Sequence, residues 1–252
     1  MIPIFIINLD RAQDRWAALQ HSAQGLDVDL RRIAAVDGKA LTAENRLFFD
    51  ASTFKRRNGR QALPGELGCY LSHLSALQAV VDSGAASAVI AEDDIALSTD
   101  AISRLDALLA LELDCDVIKL MNHRNKGFVS FAHTAAGDSV GCSFVGPNGS
   151  AAAYLVSRSA AQTMLKTMAT MSLPFDVELE RAWARGQSLT SVRDNLFAFS
   201  KHRSQSAIAT RKEYRAQKHI WYQRIPTALF RTVEVLRRFA YAVSIVLRST
   251  KK

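Results

Sequence analysis

Three consecutive carboxylates, Glu92-Asp93-Asp94, close the apolar run Ala88-Val89-Ile90-Ala91. Side by side at the end of a buried strand they repel one another, and their ionisation is costly unless a cation is present. Strand alternation would put Glu92 and Asp94 on one face, where hard oxygen ligands suit Mn²⁺ or Mg²⁺ held against a diphosphate. Such an ion would neutralise charge developing on a departing nucleoside diphosphate. The competing reading of the triplet is a solvated turn or a helix start. A second polar cluster, Asn8-Leu9-Asp10-Arg11, follows the first apolar run in the same way.

These positions carry weight because of the elements around them. The run Ile4 to Leu9 reads as a buried strand, Arg11 to Gln24 as a helix stopped by Gly25, and Val28 to Val36 as a strand ending at Asp37-Gly38. After a basic loop, Lys55 to Arg60, Pro64 opens a helix running to Ser83 and Gly84 closes it. Ala88 to Ala91 is a strand, Asp100 to Leu113 a helix, Val117 to Met121 extended, and Ser159 to Met171 a helix. Between them, Gly127 to Val156 is β-like, with turns at Gly137-Asp138 and Pro147-Asn148-Gly149. Strands alternating with helices predict an α/β fold with a mainly parallel central sheet, and ligands of such sheets bind beyond the carboxyl ends of the strands.

At 252 residues, 48% of them apolar and 22% charged, the chain is long enough for a well-packed core. Cys69, Cys115 and Cys142 are odd in number, far apart and never C-x-x-C, so neither a disulfide framework nor a zinc site is expected, and a reducing, cytoplasmic compartment is. The apolar start, Met1 to Ile7, lacks a basic n-region and a cleavage site and reads as a strand.

Four stretches together resemble glycosyltransferase family 25, which includes bacterial lipooligosaccharide galactosyltransferases and collagen galactosyltransferases. They are Ile6-Ile7-Asn8-Leu9-Asp10-Arg11 with Arg15 following, Gly65 to His73, Ile90-Ala91-Glu92-Asp93-Asp94, and Gly149 to Ser157, with Pro174-Phe175-Asp176 a weaker fifth. Their order and spacing over about the first 200 residues are more specific than any single motif. The resemblance implies a GT-A type nucleotide-sugar fold, a UDP-sugar donor, a divalent metal, and inverting transfer of galactose.

On that resemblance Asn8, Arg11, Arg15, His73, Glu92, Asp93, Gly149 and Ser150 are expected to contact the donor, and Glu92 and Asp94 to hold the metal. Guanidinium groups pair bidentately with phosphate, and small residues let backbone approach a sugar closely. Arg15 could equally lie on a solvated helix face, and His73, between Leu71 and Leu74 with Glu66 and Ser72 close by, could be a satisfied core histidine. Inverting transfer needs a carboxylate to take the acceptor hydroxyl's proton. Asp176 is the first choice, with Glu178 and Glu180 nearby; the alternative makes Asp176 the N-cap of a helix from Val177 to Arg185. His202 and Arg203 are candidates for a late metal or phosphate contact.

Charge divides the chain at about residue 200: residues 1 to 200 carry −3 and the remainder +11. A catalytic domain over 1–205 and a basic amphipathic helical tail over 206–252 are therefore expected. In the tail Arg224, Thr227, Arg231, Glu234, Arg238 and Tyr241 recur at helical spacing opposite Leu229, Phe230, Val233, Leu236, Phe239, Val243 and Val246. Interior charges exclude a spanning segment, so the tail either lies in the plane of an anionic membrane, with Trp221 and Tyr222 at head-group depth, or packs on the domain. No nucleic-acid reading motif accompanies the charge, and no nucleic-acid partner is expected. The leading expectation is a peripheral inner-membrane enzyme moving a hexose to a lipid-linked oligosaccharide; alternatives are a catalytically silent membrane scaffold, or a transferase using UDP-glucose or a UDP-N-acetylhexosamine.

Overall fold

The structure is a computed structural model that describes residues 2–200, 216–217 and 219–249. Its centre is an eight-stranded sheet in the order β2-β1-β3-β8-β5-β9-β7-β6. The strands are β1 (Pro3–Asn8), β2 (Asp29–Ala34), β3 (Ser87–Glu92), β5 (Val117–Lys119), β6 (Phe128–His133), β7 (Ser139–Ser143), β8 (Ala153–Ser157) and β9 (Leu189–Val192). A separate two-stranded ribbon pairs β4 (Ile95–Ala96) with β10 (Ala198–Phe199).

β1 is parallel to both β2 and β3, and β5 is parallel to β9, but β8 runs antiparallel between β3 and β5, and β7 and β6 continue antiparallel. The parallel arrangement expected from the sequence therefore holds for the first βαβ units and gives way to a mixed sheet beyond β3. β1 and β2, joined through a ten-residue helix, come out parallel, whereas the tight connection between β6 and β7 allows only a hairpin.

Alternation along β1 splits the core in two. Phe5 and Ile7 face one side with Ile90, Tyr154, Tyr70, Leu77 and Met164; Ile4 and Ile6 face the other with Val89, Ala91, Leu105 and Leu108. The first side is covered by α3 (Pro64–Asp82) and α5 (Arg158–Thr167), the second by α1 (Gln13–Ser22) and α4 (Thr99–Leu109). Each fully buried Leu, Ile or Phe contributes about 1.5–3 kcal/mol, so the two layers together outweigh any single polar contact.

The stretch read as a basic loop is instead the last turn of a helix, α2 (Ala51–Asn58). Asp50 caps it, accepting from the Thr53 N–H at 2.9 Å, and Phe54 is buried beneath it. Lys55, Arg56 and Arg57 lie at its C-terminal end, where cations complement the helix dipole.

α3 crosses the β2 end of the sheet at a very close backbone contact. A Cβ on Gly68 would sit 2.5 Å from the Val36 carbonyl oxygen, and one on Gly38 would sit 1.7 Å from that of Pro64. Only glycine at both positions permits the approach. Ser72, one turn further on, donates to the Gly68 carbonyl at 2.7 Å and accepts from the Val36 N–H at 2.8 Å, tying β2's exit to the helix. Glu66 turns back to accept from the Leu63 N–H and pairs with Arg60.

The C-terminal helix, Ile225–Ser249, lies across α2, β6 and β7. Its polar side faces inward: Thr227 donates to the Arg56 carbonyl, Glu234 pairs with Arg181, Arg238 with Glu180, and the Tyr241 hydroxyl bridges Leu189 and Gln187. Ala242 and Ile245 are buried beside these contacts against Cys142, while other apolar side chains face out, Leu236 66% and Phe239 55% exposed. Among the described residues, no helix is long and apolar enough to cross a membrane.

Candidate active site

One cavity of about 410 Å³ opens at the carboxyl ends of β1, β2 and β3. Because β8 runs against β3, it is the start of β8, with Ser150, Ala151 and Ala152, that reaches the same edge. Arg11, Arg15, His73, Glu92, Asp93, Asp94, Ser150 and Asp176, all expected from the sequence, line this cavity together.

The acidic triplet is not a continued strand. β3 ends at Glu92, and Asp93 and Asp94 form a turn before β4, so the alternation argument stops one residue into the triplet. The turn still leaves all three on the cavity, in different roles. Asp93 is buried, ion-paired to Arg15, and accepts from Asn8 Nδ2 at 2.6 Å. Burial pushes its carboxyl up, while Asn8 and Arg15 pull it down. Glu92 is only half-buried. Desolvation raises its carboxyl, but the His73 hydrogen bond and the charges of His73, Arg15 and His123 outweigh this and hold it below the ordinary glutamate range.

His73 is in place for that task. Its Nε2 lies 3.4 Å from Glu92 Oε1 and its Nδ1 3.2 Å from the Tyr154 hydroxyl, while its ring stacks on Phe175 with centroids 4.0 Å apart. A histidine clamped on three sides orients Glu92 toward the cavity. Glu92, held in its ionised form, and Asp94 share a cavity whose third acid is paired to arginine, a donor set that fits a hard divalent cation able to stabilise a diphosphate leaving group. Cys69, His73 and Glu92 also bring one ligand atom each within 4.8 Å of one another. The Cys69 thiol, however, is pushed well above its ordinary value by burial and then by Glu92, Asp176 and Glu66, so it stays protonated and is a poor ligand.

Asp176 lies in the first turn of α6 (Phe175–Leu179), behind Pro174, rather than at an N-cap. Burial, and then the Glu180 charge, raise its carboxyl above the usual aspartate range, Lys119 acting against them. A carboxylate made more basic and aimed into a cavity is suited to accept a proton.

Three expected residues stand behind the cavity. Asn8 is fully buried; it donates to Asp93 and to the Ala12 carbonyl and accepts from Arg32, so it reaches the site only through Asp93. Glu178 is tied to Arg181 and Arg185, which withdraws it from proton transfer. Gly149, at φ +68, is turned so that a Cβ there would lie 3.2 Å from His123 and 3.8 Å from Asp176 Oδ2. Glu180 is enclosed and fully partnered and, unlike Asp176, does not line the cavity. His202 and Arg203 lie outside the described residues.

His123, Asp37 and Phe199 also line the cavity. The first two follow the extended stretches at Val117 to Met121 and Val28 to Val36, so the strand-end rule that found Glu92 extends to them. Phe199, in the β10 ribbon, faces the His123 ring and carries no such signal.

Residues 1–179 match Glycosyltransferase family 25 (LPS biosynthesis protein), which is most of the chain, and the protein belongs to this family. Among curated relatives it is 33% identical over 132 residues to Procollagen galactosyltransferase 1 of Danio rerio, covering 48% of this chain and 21% of that protein. It is 30% identical over 96 residues to Procollagen galactosyltransferase 2 of Homo sapiens, covering 36% and 15%. A third, "Probable inactive glycosyltransferase 25 family member 3" of Rattus norvegicus, is 33% identical over 125 residues, covering 46% and 22%. The match thus spans about a fifth of the length of these relatives.

Proposed function

We propose that the protein is a metal-dependent hexosyltransferase that takes a UDP-sugar, galactose first, and transfers the sugar with inversion to a hydroxyl of a lipopolysaccharide or lipooligosaccharide acceptor. The supporting observation is the convergence on one cavity of Glu92, Asp94, Arg15, His73 and Asp176, drawn from four separate stretches of chain. The volume falls within the few hundred Å³ typical of a pocket for a small organic ligand. Glu92 and Asp94 would hold Mn²⁺ or Mg²⁺, which supplies electrostatic stabilisation of the departing UDP. Arg11 and Arg15 face the phosphates. Asp176 takes the proton from the acceptor hydroxyl as that oxygen bonds to the anomeric carbon, and the carbon–oxygen bond to UDP breaks with its electron pair leaving on UDP.

A lipid-linked acceptor agrees with the outward apolar side of the C-terminal helix and the +11 charge after residue 200. That combination suits peripheral attachment to an anionic lipid surface, on the cytoplasmic side of the inner membrane.

The experiment is a UDP-sugar panel with Mn²⁺, scored for UDP release and repeated with a chelator and with Asp94→Ala. Release that requires metal and falls about a hundredfold or more in the variant is expected, the scale at which a site's electrostatic contacts act. A second reading, a silent scaffold, draws on the relatives whose names call them inactive. Absence of both turnover and metal-dependent UDP binding in calorimetry, with firm liposome binding, would establish that reading instead.

A further inference from the structure

Behind the cavity a single carboxylate gathers four donors from three places in the chain. Glu180, 1% exposed, accepts at Oε1 from Lys119 Nζ at 2.7 Å and from the Gly149 N–H at 2.9 Å. At Oε2 it accepts from the Asn148 N–H at 2.9 Å and from Arg238 at 2.9 Å. Lys119, with no exposed surface, also donates to the Gly149 carbonyl at 2.9 Å. Both backbone polar groups of Gly149 are therefore held by one buried ion pair.

The segment so held is unusual. Gly149 and Ser150 both have positive φ, +68 and +72, and for serine such a backbone costs energy, of order 1–3 kcal/mol, unless its surroundings impose it. Ser150 lines the cavity, and Gly149 backs directly onto His123 and Asp176. The conformation that shapes this wall is thus not the one the chain would choose locally.

Arg238 touches this segment at two points. Besides pairing with Glu180, its guanidinium lies against the backbone at Gly146, where a Cβ would sit 2.7 Å from the guanidinium carbon. It also covers the Trp183 ring at 5.2 Å. Arg238 belongs to the C-terminal helix, well beyond the residues 1–179 that match the family. Without it, Glu180 would be left with Lys119 as its sole charged partner among the described residues.

We propose that Arg238 is a positioning residue for the active site: acting through Glu180, it fixes the 146–150 segment in the conformation that lines the sugar-nucleotide cavity, which makes the C-terminal helix part of the catalytic unit. That the segment's conformation matters to turnover rests on the transferase reading; that Arg238 imposes it does not. The two parts separate in one experiment on the full chain, using Arg238→Gln, Arg238→Lys and, as a control one residue away on the solvent side, Arg237→Gln.

Hydrogen exchange by mass spectrometry reads the 146–151 segment, and UDP release with Mn²⁺ reads turnover. In Arg238→Gln, exchange through 146–151 rises about tenfold or more while β1 keeps wild-type protection, and kcat falls by about tenfold or more with donor KM changed less. Arg238→Lys, which keeps the cation, recovers part of both, and Arg237→Gln matches wild type. Unchanged exchange at 146–151 in Arg238→Gln overturns the proposal, as does equal loosening of β1 and 146–151 in both Arg238 variants, which would mean a general loss of stability. If the wild type itself releases no UDP from any sugar nucleotide, the transferase reading fails and the exchange result still decides the role of Arg238.

Discussion

Two acids on one short segment, Asp176 and Glu180, stand four residues apart, share the Lys119 charge, and differ in the donors that reach them. Asp176 faces the cavity, and burial with a neighbouring negative charge pushes its carboxyl up. For Glu180, desolvation also acts upward, but Lys119, Arg238 and two backbone N–H groups overcome it and hold the carboxyl below the ordinary glutamate range. A carboxylate supplied with donors is a structural strut. A buried carboxylate whose donors do not offset its desolvation is a stronger base and a candidate for proton transfer.

The largest effect expected from this contrast is on turnover. Asp176→Asn should lower kcat by about 10²–10⁴, the usual contribution of a general base. The same change should not destabilise the protein at pH 8, and should raise its melting temperature there. The sign follows from the raised pKa: above it the folded state must hold an ionised carboxylate it disfavours, and the gain fades as pH falls through that raised value toward the ordinary aspartate range. A melting temperature at pH 8 lower than wild type would break the contrast.

Glu180→Gln should do the reverse, costing about 3–5 kcal/mol in denaturant unfolding because it strands Lys119 and Arg238 without their counter-charge. Its depressed pKa gives a stabilisation that is present above the unfolded-state value and lost as pH falls through the folded one. Glu180→Gln and wild type should therefore converge in stability in strong acid, below the ordinary glutamate range. Parallel stability curves across that range would remove the basis of the assignment.

The pH dependence of transfer sharpens the contrast further. The acid limb of the kcat profile should have a midpoint above the ordinary aspartate value, since activity is lost as Asp176 takes up its proton. A limb centred at or below that value would point to another base. The smallest effect belongs to the outer face of the C-terminal helix. Leu236→Glu with Phe239→Glu should leave stability within about 0.5 kcal/mol per substitution, as both side chains are exposed, yet weaken sedimentation with anionic liposomes.

Much of this arrangement is legible in the sequence. The apolar runs ending in Asn8 and Glu92 mark β1 and β3, Pro64 and Gly84 bracket α3, and the polar residues just beyond the strands do line the cavity. Local periodicity suffices there because each run is long and ends in a turn residue. It fails for α2, where Lys55-Arg56-Arg57 hides a helix anchored on the buried Phe54, and for Asp176, whose place in the first turn of α6 depends on Pro174. Along the C-terminal helix the spacing also falls short, since Arg238 and Thr227 are buried with Ala242 and Ile245 while Leu229 and Leu236 face solvent.

The sequence by itself determined most of the longer elements, the family, and the acids, arginines and histidine that meet at one cavity, because these depend on residue identity and short-range spacing. Tertiary structure alone decided which carboxylates face the cavity and which are enclosed by partners, since that depends on donors brought from residues as far apart as Lys119 and Arg238. Charge and hydrogen bonding act through space over a few ångströms, and only the folded chain says which groups share that distance.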